Sequence, residues 1–181
     1  MNGAASDDEL ISRFVARGDE SAFRELYRRH TPAAFGLLCR LTGGQDADAA
    51  DLMQAAWVRA VRRLSEFRGA SAFRTWLSGI AVNCYREWRR AEARRPAMPD
   101  SDALDQMAAP VDLRADDIAE VVRALPLPFR DVLVLHDIEG WTHDEIAHAL
   151  GIEPGTSKSR LSRARALFRK WWRRDAEMRI R

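Results

Sequence analysis

The chain has 181 residues, 46% of them hydrophobic, which fits one domain or two small ones and excludes a fully disordered chain. It lacks the ~18 uninterrupted apolar residues of a membrane span, its opening MNGAASDDEL lacks the basic and apolar regions of a secretory signal, and two cysteines, Cys39 and Cys84, make neither a disulfide framework nor a metal cluster. The net charge of +2 conceals segregation: residues 59–95 carry ten basic and three acidic side chains, residues 156–181 carry ten and two, and the rest is acidic, which predicts two polyanion-binding surfaces. A reducing, cytoplasmic location is expected, with both thiols filling core space.

Nearly every periodic segment predicts helix. Ser6-Asp7-Asp8-Glu9 has the form of a capping box, Leu10, Ile11, Phe14 and Val15 follow on one face, and Gly18 provides a stop. Asp19 can cap a second helix carrying Phe23, Leu26 and Tyr27; Pro32 is expected to interrupt or restart it, and Phe35, Leu37, Leu38 and Leu41 continue to Gly43-Gly44. A third helix is expected from about Asp46 to Leu64, and a fourth from about Ser71 to Arg95.

Residues 96–117 hold three prolines, six aspartates and one basic residue, the composition of a flexible acidic linker. Beyond it the pattern predicts helices over Ile118–Leu125, Phe129–Glu139 and Thr142–Leu150, then a final one from about Pro154 past Trp172. The expected fold is all-α: two small helical domains, 1–95 and 118–181, joined by the linker at 96–117.

Within the second domain, Thr142-His143-Asp144-Glu145 is another capping box, Gly151 supplies a tight turn, and Pro154 suits a first helical position. A short helix, a glycine turn and a basic second helix form a helix-turn-helix. At about 100° per residue, Leu161, Ala164, Phe168 and Trp172 share one face with Ser157. The other side carries Thr156, Ser159, Ser162, Arg163 and Lys170, flanked by Lys158 and Arg160, with no acid between Thr156 and Arg174. Small hydroxyls among long cations suit base edges and phosphates of a duplex.

The block 59–95 interleaves cations with aromatics: Phe67-Arg68, Phe73-Arg74, Trp76, Tyr85-Arg86 and Trp88-Arg89-Arg90. Stacking on unpaired bases and packing in a core are both compatible with that spacing. His143 and His148 stand five apart, not the four of a zinc-protease helix, so a structural role is expected. With no phosphate-cradling glycine loop, nucleophile motif or paired carboxylates, neither an enzyme nor a cofactor or metal is expected.

Taken together, the chain resembles an extracytoplasmic-function sigma factor, the smallest type of sigma-70 family subunit, over about residues 8–174. Asp19-Glu20-Ser21-Ala22-Phe23-Arg24-Glu25-Leu26-Tyr27 resembles the opening of the family's domain 2, and Asp48-Ala49-Ala50-Asp51-Leu52-Met53-Gln54 its polymerase-binding helix. Phe67-Arg68-Gly69, Phe73-Arg74-Thr75-Trp76-Leu77 and Ile80-Ala81-Val82-Asn83 resemble its promoter-melting segment. Glu145-Ile146-Ala147, Leu150-Gly151-Ile152 and Gly155-Thr156-Ser157-Lys158-Ser159-Arg160-Leu161 resemble the helix-turn-helix of domain 4.

The resemblance implies that Asp48, Asp51, Leu52 and Gln54 bind the clamp of the largest subunit of core RNA polymerase. It implies that Phe67, Arg68, Gly69, Ser71, Arg74, Trp76 and Asn83 bind the −10 element of promoter DNA. Thr156, Lys158, Ser159, Arg160, Ser162 and Arg163 would read the −35 element, the linker would thread toward the polymerase active-site channel, and an anti-sigma factor would be the regulator. The chain departs from the pattern at Ala55, usually Glu; at Val82, often Arg; at Ser157, usually Val; and in starting its last helix with Glu153-Pro154. Two other classes are weighed against this one: a two-domain regulator that binds duplex DNA without polymerase, and a helical RNA-binding protein. The former leaves 48–54 and 59–95 unexplained; the helix-turn-helix disfavours the latter.

Overall fold

The computed structural model describes residues 5–92 and 118–179, with side chains as far as Trp172. The linker expected over 96–117 lies outside the described residues. All regular structure among the described residues is helical: α1 (Asp7–Arg17), α2 (Glu20–Thr42), α3 (Asp46–Arg63), α4 (Phe73–Glu92), α5 (Ile118–Ala124), α6 (Leu127–Leu133), α7 (His143–Leu150) and α8 (Pro154–Arg179). No described helix is long and apolar enough to cross a membrane.

Local chemistry sets the helix ends. The Ser6 hydroxyl accepts from the Glu9 amide at 3.2 Å while the Glu9 carboxylate accepts from the Ser6 amide at 2.8 Å, closing the expected capping box. Asp19 caps α2 by accepting from the amides of Ser21 and Ala22. Hydrogen bonds from Ser21 and Arg13 hold its carboxyl well below the usual range.

Contrary to expectation, Pro32 neither interrupts nor restarts α2, which runs unbroken from Glu20 to Thr42. Proline in a helix interior loses one main-chain hydrogen bond. Burial on both sides of it offsets that loss: Leu26 precedes it, and Ala34, Leu37, Leu38 and Leu41 follow, all in the core. Beside it, Trp57 of α3 donates from Nε1 to the Thr31 hydroxyl at 2.9 Å. Tertiary packing overrides the local breaker.

Helices α1–α4 bury Leu26, Leu37, Leu38, Leu41, Ala56, Trp57, Phe73, Leu77 and Tyr85. In the second domain, α6 continues through a π-helical turn, Val134–Ile138, and packs with α7 and α8 around Val132, Leu135, Ile146, Leu161 and Ala164. One apolar cluster joins both halves, since α2 and α4 lie directly against α5, α6 and α7.

Candidate nucleic-acid and polymerase interfaces

Helix α3 exposes Asp51 and Gln54, with Asp48 half-buried on the turn before them. Leu52, assigned to the same surface from sequence, is only 6% exposed and lies in the core. Its burial follows from the helix pattern: Leu52, Met53, Ala56, Trp57 and Ala60 form the inward stripe of an amphipathic helix. Leu52 therefore holds the helix in place, and its polar neighbours face outward. Ala55 is partly buried against the core rather than exposed.

The loop between α3 and α4 carries the aromatic block. Phe67 stands edge-on to Phe73 at 5.6 Å and to Trp76 at 5.3 Å, and Phe73 and Trp76 are 5.5 Å apart. Phe73 is buried, so the core reading holds for that ring. Phe67 and Trp76 are half-buried; Arg68, Gly69, Ser71, Arg74 and Asn83 are exposed. A shallow pocket of about 340 Å³ opens beside the loop, walled by Ile11, Val15, Leu64, Phe67, Arg68 and Gly69. Val82 is buried, and an arginine there would have no solvent to reach.

The helix-turn-helix forms as expected. Thr142 accepts from the Glu145 amide at 3.3 Å, and Glu145 accepts from the Thr142 amide at 2.8 Å. Gly151 ends α7 with φ 67°, a left-handed conformation that costs other residues about 1–2 kcal/mol. On α8, Lys158, Ser159, Ser162 and Arg163 are exposed and Thr156 is half-exposed. The inward face is Ser157, Leu161, Ala164 and Trp171. The sequence had placed Trp172 there, but it is 42% exposed and stacks on Phe168, with ring centroids 6.0 Å apart. At about 100° per residue Trp171 falls within about 20° of Ala164, so it continues the inward face and is buried instead. No group of three or more potential metal ligands occurs among the described residues.

A polar seam between the two domains was not foreseen. Asp131 of α6 is 0% exposed. It accepts from the Tyr85 hydroxyl at 2.7 Å and pairs with Arg89, both on α4. Burial pushes the Asp131 carboxyl up, against the downward pull of Arg89 and Tyr85. Arg130 reaches back across the seam to the carbonyl of Leu41, 3.4 Å away, and also donates to Val122, Arg123 and Leu125 carbonyls. Its guanidinium packs on Gly43, where a side chain would collide with it. Arg86 caps the C-terminal end of α7 through the Ala149 carbonyl at 3.1 Å, and Glu139 pairs with Arg40 and, at 3.9 Å, with Arg74.

This seam engages part of the basic inventory assigned to DNA. Arg160 is half-buried beside Arg89 and Asp131, and burial followed by the like charge of Arg89 lowers its pKa. In this arrangement it faces the first domain rather than open solvent. The visible sign in the sequence was the charged pair Arg130-Asp131 inside the apolar run from Phe129 to Leu135.

Comparison with known proteins matches residues 26–95 to Sigma-70 region 2 and residues 115–168 to Sigma-70 region 4. The ECF RNA polymerase sigma-E factor of Escherichia coli (strain K12) is 32% identical, over 91% of this chain and 93% of its own length. The sigma-E factor of Haemophilus influenzae is 33% identical, over 90% and 93%. Among solved structures, CnrH in complex with the cytosolic domain of CnrY is similar at a TM-score of 0.58 and 26% identity, covering 94% of this chain and 99% of that one. The Bartonella quintana sigma factor RpoE in complex with the anti-sigma factor NepR shares the fold at a TM-score of 0.60 and 21% identity, over 83% and 96%. A regulator acting without polymerase would leave the region 2 match over 26–95 without a role. With both regions in order and a relative of this identity along nearly its whole length, the chain belongs to the extracytoplasmic-function group of the sigma-70 family.

Proposed function

We propose that this sigma factor divides its work among three surfaces. Exposed Asp51 and Gln54, with Asp48, dock on the clamp of the largest subunit of core RNA polymerase. The loop of Phe67, Arg68, Gly69 and Ser71, with Arg74, Trp76 and Asn83 of α4, receives the melted −10 strand. Thr156, Lys158, Ser159, Ser162 and Arg163 read the −35 duplex, joined by Arg160 once the seam opens. The domains bearing these surfaces are taken as 1–95 and 118–181, and the working location as the cytoplasm.

The observation that carries this reading is the pocket beside Phe67, Arg68 and Gly69, set next to a half-exposed aromatic pair and the exposed side chains of Arg68 and Arg74. Unstacking a base costs a few kcal/mol, and a stacking contact returns about 1–3 kcal/mol, so melting needs no nucleotide hydrolysis on that account. The −10 and −35 elements lie about 25 base pairs apart, or roughly 85 Å at ~3.4 Å per step. Domains packed along α4, α6 and α7 cannot meet both at once, so initiation requires the seam to part. An inhibitor that favours the packed form is the expected regulator, in keeping with the two similar solved structures, both of complexes.

The test is a pair of substitutions in the full chain. Arg163→Ala weakens holoenzyme binding to the −35 duplex by about 1 kcal/mol, the scale of one phosphate or base contact, and leaves core association unchanged. Asp51→Ala does the reverse. Loss of core binding in Arg163→Ala, or unchanged core affinity in Asp51→Ala, contradicts the assignment.

A further inference from the structure

Ser157 is a departure from the family pattern, and the structure gives it a specific partner. It is 0% exposed on the inward face of α8, and its hydroxyl lies 2.9 Å from Nδ1 of His143. His143 is the first residue of α7, and its ring lies 4.6 Å from that of His136 at a tilt of 31°. His136 in turn bonds Asp137 at 2.9 Å. Asp137 accepts two hydrogen bonds from Arg165 of α8, at 2.9 and 2.6 Å. Helix α8 is therefore tied to the segment in front of it at two points eight residues apart, about 12 Å along its axis. Two tethers spaced by two turns restrain both rotation about the helix axis and tilt. A valine at 157 would restrain neither directionally, because apolar packing has no preferred direction.

We propose that the Ser157–His143 hydrogen bond is a positioning contact that sets the angle of α8, and that through it promoter discrimination responds to the protonation of His143. The proposal rests on the reading of α8 as the duplex-reading helix. His143 faces Lys158 and Arg165 of α8, His136 with its partner Asp137 from the preceding turn, and Asp144 on its own helix. Burial, then the charges of His136, Lys158 and Arg165, hold its pKa below the ordinary histidine value. Neutral His143 accepts the Ser157 hydroxyl proton at Nδ1 when its own proton is on Nε2. The imidazolium reverses that bond, turning the hydroxyl onto a main-chain carbonyl one turn back. It also sets a positive ring against Lys158 and Arg165, which pushes α7 and α8 apart. Acid loosens the clamp on this account, although added positive charge strengthens attraction to any phosphate backbone.

The experiment separates these opposing effects. Holoenzyme assembled from the full chain and core polymerase selects a promoter duplex from a randomised library. Binding to that duplex is then compared with binding to the same duplex scrambled in its upstream element, from pH 8 to pH 5.5. The ratio cancels the sequence-independent phosphate attraction. For the unmodified chain the ratio falls on acidification; for His143→Gln, which retains a hydrogen-bonding side chain without titrating, it stays flat. Ser157→Thr and Ser157→Val have the same shape and differ in the hydroxyl, so at pH 8 the first keeps the ratio and the second lowers it about fivefold, the scale of one net hydrogen bond. Equal ratios for Thr and Val, or a pH slope that survives His143→Gln, overturn the proposal. Should Ser157→Val melt below the assay temperature, the His143→Gln slope alone decides. Should no duplex be discriminated at any pH, the duplex reading of α8 has failed, and the clamp is judged by the NMR titration of the His143 ring in the free chain. The midpoint then differs between Ser157→Thr and Ser157→Val if the contact exists, and equal midpoints overturn it.

Discussion

Asp131 carries a carboxylate where water does not reach, and three groups hold it there: Tyr85, Arg89 and the neighbouring Arg130. Removing one partner of a buried ion pair leaves the other charge stranded, typically at a cost of about 3–5 kcal/mol. Asp131→Ala should lower unfolding stability by about 3 kcal/mol, near the bottom of that range because Arg89 can swing toward solvent; chemical denaturation of the full chain measures it. Glu25 shows the opposite titration behaviour. Hydrogen bonds from Arg28 and then Arg29 bring its pKa from 4.5 down to about 2. A depressed carboxylate pKa stabilises the fold at pH above 4.5, and that contribution is lost as pH falls toward about 2. Thermal melts should therefore show acid destabilisation across that window, and the double substitution Arg28→Ala, Arg29→Ala should reduce it by the share Glu25 contributes, leaving that of Asp19.

At the scale of elements, features governed by neighbours in the chain were legible and those governed by distant contacts were not. Ser6, Asp19 and Thr142 cap their helices as read from the sequence because a cap is completed within three residues. Pro32 was misread because the packing that carries α2 through it comes from Trp57 and from leucines a turn or more away. Pro32→Ala restores an amide to that helix and should stabilise the chain by about 1–3 kcal/mol, as interior prolines cost up to about 3. The π-helical turn at Val134–Ile138 had no local signature, and Trp171 rather than Trp172 is buried because it falls in line with Ala164 seven residues earlier. Gly151→Ala, by contrast, should cost about 1–2 kcal/mol, because φ of 67° is needed at that turn and alanine resists it.

For the whole molecule, the segregated charge takes on a spatial meaning. The basic block 59–95 supplies an open loop with Arg68 and also the seam with Arg86 and Arg89; the basic helix α8 supplies an open face and also Arg160. The candidate surfaces were legible because each is a short run of residues on one element or on an element and the loop that leads into it. The seam was not, because Tyr85 and Asp131 lie 46 positions apart and share no period. The seam adds these polar contacts to the apolar cluster that joins the two halves, so weakening them loosens the packed arrangement. Asp131→Asn should accordingly enlarge the radius of gyration in small-angle scattering while leaving the helical content unchanged.

On the proposed reading, the chain confers promoter recognition on core polymerase, using one surface for the enzyme and two for DNA. Runoff transcription on a library-selected promoter, with core polymerase present or omitted and with Asp51→Ala beside the unmodified chain, tests it most directly. Specific transcripts are expected only with core and the unmodified chain together, with a marked loss for Asp51→Ala. Specific binding to the same promoter with no association with core, and no transcript at any concentration, would contradict it.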